Sequence, residues 1–148
     1  MSQNLYVVAA LVTGALVPLQ LTFNAQLGQA TRNAFSASLI VFLVGTLALA
    51  GIVIATRTAL PPLDTLLAAP RTIWLGGLIA TLYIVAIVVL TPRLGVGLTV
   101  GLILVGQLFA GLLLDHLGAF GNPRHALNLW RIGGFAMMVA GVAAIKLH

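Results

Sequence analysis

Cysteine and glutamate are absent from this chain, and aspartate occurs only twice, as Asp64 and Asp115. Without thiols there is no disulfide framework and no thiolate metal site, and the redox compartment leaves no trace. His125 and His148 stand alone, with no second ligand at metal spacing. No nucleophile–base set and no phosphate-cradling loop occurs. The expectation is a protein with no metal, no cofactor and no enzymatic activity. Charge is equally scarce: Asp, Glu, Lys and Arg make up 6% of 148 residues, where soluble domains carry about 25%. The seven basic residues give a formal net charge of +5 but form no cluster, so no nucleic-acid partner is expected. The opening residues lack a basic n-region, and Gln20, Asn24 and Gln26 do not resemble a cleavable small-residue site. The first apolar stretch is therefore expected to be retained.

What the chain does contain is apolar surface: 61% hydrophobic residues and a mean hydropathy of +1.16. Its runs are long enough to cross a bilayer, which takes about 20 residues at the helical rise. They predict an all-α membrane protein, one domain over residues 1–148, with spans at about 5–27, 35–56, 72–91, 95–117 and 131–147. The lipid bilayer is its first partner.

The opening span breaks its own pattern in its second half. Gln20 and Asn24 lie four apart and share one helix face, with Thr13 close to the same line. Pro18, just before them, removes a backbone hydrogen bond and invites a kink. An unpartnered amide in hydrocarbon is costly, so both side chains are expected to face protein or a wet cavity. A solute site is one reading of these amides. The other is helix-to-helix glue, contributing about 1–2 kcal/mol in peptide systems. Thr13 either joins the site or returns its hydroxyl to its own backbone carbonyl.

Further along, Asn33 or Ser36 can cap the second span, while Gly45, Ala48 and Gly51 can admit a close neighbour. Prolines at 61, 62 and 70 bracket room for one or two helical turns, with Asp64 serving the first of them. Trp74 suits an interfacial anchor. Tyr83 falls near the centre of the third span, where core packing and solute stacking are equal readings. The segment 91–95 predicts a tight reversal, and Gly97 with Gly101 a small-residue seam. Gln107, Gly111 and Asp115 step by four along the fourth span, so an amide and a carboxylate share one face. Asp115-His116 reads either as a functional pair or as a solvated helix end. Asn122-Pro123 predicts the start of a short interfacial helix carrying Arg124, His125 and Leu127. Gly133, Gly134 and Gly141 suggest a further packing face.

Five spans place the ends of the chain on opposite sides of the membrane. Arg57, Arg71, Arg124 and Arg131 then share the N-terminal side, and Arg32, Arg93 and Lys146 the other. Four against three is hardly a bias for the positive-inside rule to read. Mixed orientation and an antiparallel dimer are the expectations, since transporter sites lie at the midplane between inverted halves and this chain holds one half.

The segments 19–28 (Leu-Gln-Leu-Thr-Phe-Asn-Ala-Gln-Leu-Gly) and 42–46 (Phe-Leu-Val-Gly-Thr) resemble the start of the YdcZ-like family of bacterial inner-membrane proteins. Trp74-Leu75-Gly76-Gly77, Pro92-Arg93-Leu94-Gly95, Gly106-Gln107 and Asp115-His116-Leu117-Gly118 extend the likeness in order over nearly the whole chain. The resemblance implies membership of the drug/metabolite transporter superfamily, with five helices equivalent to half of its usual ten-helix member. It also implies kinship with the four-helix small multidrug resistance proteins, which work as antiparallel dimers. Those proteins carry an essential glutamate in their first helix for proton and cation exchange. This chain departs from them there, offering Gln20 and Asn24 instead, so that mechanism is not carried over.

The function expected is transport of a small polar or neutral solute by alternating access in a dimer. Gln20, Asn24 and Gln107, with Thr13 and Tyr83, are the candidate solute ligands. If protons are coupled, Asp115 with His116 is the available group. The partner is a second copy or a paralogue of opposite orientation. A channel-like pore and a non-transporting membrane subunit are the alternatives.

Overall fold

The computed structural model describes residues 3–147, so His148 lies outside the described residues. Among these there is no strand; six α-helices follow one another as α1 (Gln3–Thr31), α2 (Ala34–Ala55), α3 (Leu63–Ala68), α4 (Leu75–Leu94), α5 (Val96–Leu117) and α6 (Leu129–Leu147). Short 3-10 turns at Arg71–Trp74 and Ala119–Gly121 precede α4 and follow α5. Five segments are long and apolar enough to span a membrane: Gln3–Thr31, Ala34–Ala55, Arg71–Leu94, Val96–Leu117 and Leu129–Leu147. The all-α, five-span architecture read from hydropathy is the one the chain adopts.

Local chemistry explains where each helix stops. The first span was expected to end at about residue 27, yet α1 continues to Thr31, whose hydroxyl donates to the Leu27 carbonyl at 2.9 Å. At 29 residues, α1 is about 43 Å long at the helical rise, well beyond the roughly 30 Å of bilayer hydrocarbon. Two residues then separate it from α2. Arg32 takes a left-handed φ of 53°, and the Asn33 carboxamide oxygen accepts from Phe35 N (2.9 Å) and Ser36 N (3.1 Å). Of the two cap candidates, Asn33 fills the role. The helix α3 follows Pro62 and carries Asp64 in its first turn. α4 runs through Pro92 in its last turn and stops at Gly95, whose φ of +79° ends the helical path.

Contacts group the chain into two compact units, one of residues Leu19–Arg93 and one combining Met1–Pro18 with Leu94–His148. Both divisions fall beside a proline, Pro18 inside α1 and Pro92 near the end of α4. In the Leu19–Arg93 unit lie the buried apolar residues among those described: Leu21, Ala25, Ala37, Ile84, Ile87 and Val88. Here α1 and α4 approach so closely that a Cβ added at Gly28 would collide with Val88 Cγ1. In the other unit α5 packs on α6, and a Cβ at Gly101 would stand 3.0 Å from Val142 Cγ2. Gly97, expected to share that seam, has nothing within 4 Å, nor have Gly45, Gly51, Gly133, Gly134 and Gly141. Those small-residue faces are uncovered in the single chain, as are most of its large apolar side chains, which is the surface a bilayer solvates.

Candidate solute site

Along the second half of α1 the buried positions are Leu21, Asn24 and Ala25, the i, i+3, i+4 stripe of a helix that turns one face inward. Asn24 is 6% exposed, and its Nδ2 has no hydrogen-bond partner. Its condition differs from that of Ser38, Thr81 and Thr99, whose hydroxyls return to the carbonyl one turn earlier. Ser38 Oγ donates to Ala34 O at 2.7 Å, Thr99 Oγ1 to Gly95 O at 2.7 Å and Thr81 Oγ1 to Gly77 O at 3.0 Å. Leaving a buried amide donor unpaired costs about 1–3 kcal/mol. Asn24 lines a groove of about 330 Å³, walled by Phe23 and Leu27 of α1 and by Ile40, Val41 and Val44 of α2. One amide in an apolar groove of this size suits a small ligand, since such sites combine apolar walls with few polar groups.

The other candidate ligands are placed as follows. Gln20, one helical turn before Asn24, is exposed, and Tyr83 on α4 is half-buried; both belong to the Leu19–Arg93 unit. Gln20 differs from Asn24 because the buried stripe is centred on Leu21 and Ala25, leaving Gln20 at its margin. Thr13 and Gln107 are exposed and belong to the other unit. The Thr13 hydroxyl donates to Ala9 O at 2.8 Å. A four-residue step along α1 thus joins side chains in different surroundings, and periodicity alone does not reveal it.

At the end of α5, Asp115 and His116 are tied to the chain that follows. Arg131 Nη1 lies 3.2 Å from Asp115 Oδ2 in an ion pair whose side chains are 32% and 41% exposed, respectively. The Asp115 carbonyl accepts from His125 N at 2.8 Å, and the His116 carbonyl accepts from Arg124 Nε at 3.1 Å. His116 Nδ1 accepts from Leu127 N at 3.3 Å. These bonds serve carbonyls that a helix C-terminus would otherwise leave unpaired, and Arg131 offsets an acid set at the unfavourable end of the dipole. Residues 122–128, tied down by these bonds, take no helical structure, so the helix expected from Asn122-Pro123 does not form. The cap forms instead at Asn128, whose Oδ1 accepts from Arg131 N at 2.9 Å.

Two residues escaped the sequence reading. Arg131 could have been found as a basic partner for an acid at a helix end. Thr91, 4% exposed with its Oγ1 unpaired, carries no sequence signal beyond its place before Pro92.

Five apolar spans, and two carboxylates in the whole chain, define a multi-pass integral membrane protein. A family model described as "Putative inner membrane exporter, YdcZ" matches residues 5–144. The chain belongs to that family of inner-membrane exporters of the drug/metabolite transporter type. No curated protein and no solved structure matches it.

Proposed function

We propose that this protein carries a small polar or neutral solute across the inner membrane by alternating access. The working unit is a dimer of oppositely oriented copies, or this chain with a paralogue of opposite orientation. The observation that carries this reading is Asn24: a buried amide whose Nδ2 lacks a partner, on the wall of a groove of about 330 Å³. A group held unpaired against a penalty of about 1–3 kcal/mol is what a hydrogen-bonding solute would relieve. Gln20, one turn away, supplies a second amide on entry, and Tyr83 of the same unit a phenol. Proton coupling through Asp115 and His116 requires the Arg131 pair to open during the cycle, so uncoupled movement of a neutral solute fits the geometry better.

Flux into proteoliposomes tests the reading. A carrier gives saturable uptake with competition between related solutes, and Asn24→Ala lowers it at least tenfold, with Gln20→Ala milder. Uptake that stays linear with concentration, or is indifferent to Asn24→Ala, sinks the carrier reading.

A further inference from the structure

A second cavity, of about 280 Å³, lies in the Leu19–Arg93 unit where the spans end. Its lining includes Gln29 of α1, Arg32 and Asn33 of the α1–α2 turn and Val88, Val89 and Arg93 of α4. Two arginines thus border one hollow, and among the described residues neither has an acidic partner. Among the described residues the ion pair is Arg131 with Asp115, and the remaining carboxylate, Asp64, sits on α3. The N-terminus of α2 borders the same cavity and adds the positive end of a 22-residue helix. Val88 and Val89 supply an apolar wall. Positive charge without counter-charge, the side-chain amides of Gln29 and Asn33 and an aliphatic wall at a span end together select a ligand with an anionic head and an apolar body.

Arg32 holds a left-handed φ of 53°, a position after a helix where glycine is preferred because it carries no Cβ penalty. An arginine stands there at the expense of local strain, beside the cavity it helps to line.

We propose that Arg32 and Arg93 form a binding site for a phosphate head of net negative charge, with no cation of its own, carried on an apolar or glycerol body, at the membrane face where α1 and α4 end. Phosphate suits the pair better than a carboxylate because its oxygens can engage both guanidinium groups and a neighbouring amide at once. The head of an anionic phospholipid and a free phosphate ester share this chemistry.

Binding is read without flux, so its failure leaves the solute reading untouched. Purified protein in an uncharged detergent is melted with short-chain phosphatidylglycerol, with short-chain phosphatidylcholine, and with glycerol 3-phosphate, all at one ionic strength. Phosphatidylglycerol is expected to raise Tm saturably and above phosphatidylcholine. Its apparent affinity should fall about fivefold in Arg93→Gln and about thirtyfold when Arg32→Gly is added. Arg32→Gly relieves the positive φ, so the turn survives the change. Arg57→Gly removes an arginine from the same backbone conformation (φ 50°) outside this cavity and should keep full affinity. Stabilisation by glycerol 3-phosphate with the same arginine dependence supports the site and assigns it to a soluble ester rather than a lipid. Equal stabilisation by both lipids, no stabilisation by any phosphate, or unchanged affinity in the double variant overturns the proposal. Should the double variant not purify, native mass spectrometry of Arg93→Gln decides: lipid retained at the wild-type level overturns it, and depletion supports it.

Discussion

Replacing Asn24 by leucine is expected to raise thermal stability while removing the donor that a solute needs. The substitution deletes a buried, unpaired amide and leaves an apolar side chain among apolar neighbours, a gain of about 1–2 kcal/mol. Melting in detergent alongside flux in proteoliposomes checks it; a destabilised variant would mark Asn24 as helix glue instead. Gly28→Ala should do the opposite. Its added methyl collides with Val88 Cγ1, and overpacking of this kind costs about 1–3 kcal/mol. Gly97→Ala, with open space around it, should shift stability by less than about 0.5 kcal/mol, and the two melts compared side by side test that asymmetry. At this scale the sequence is a partial guide. It marked Asn24 as unusual, because an amide in an apolar run is conspicuous. It did not mark Gly28, because a glycine's need is set by the neighbour it meets and not by its own chain.

Helix ends follow the same logic. Both Asn33 and Asn128 place a carboxamide oxygen against backbone N–H groups at the start of α2 and α6, whereas Asn122 lies in the non-helical connection. Asn128→Ala is expected to cost about 1 kcal/mol and Asn122→Ala close to nothing, which hydrogen exchange over the first turn of α6 would report. The Asp115–Arg131 pair, partly open to solvent, should show a coupling below about 1 kcal/mol in a double-mutant cycle. The five spans were legible because each is a long apolar run, and hydropathy needs no tertiary knowledge. Ahead of α6 the expected cap was Asn122-Pro123, and Asn128 fills the role. The Asp115 and His116 backbone carbonyls, with His116 Nδ1, decided between them by binding the intervening chain, which a local pattern does not encode.

For the molecule as a whole, the proposed pairing of two oppositely inserted copies makes a prediction about orientation. The chain contains no cysteine, so single-cysteine variants at Ser2 or His148 can be labelled in intact cells without prior substitution. Mixed insertion gives label from both sides at each position; strictly one-sided label rejects it and leaves a paralogous partner as the remaining source of the inverted half. The two compact units also impose an order on biogenesis. Leu19–Arg93 is one continuous segment, whereas the other unit joins the opening of α1 to helices made last. The ribosome therefore releases the first residues long before their companions exist. That opening half-helix must wait in lipid, and a chain stalled after Arg93 would present it to membrane quality-control proteases as an orphan.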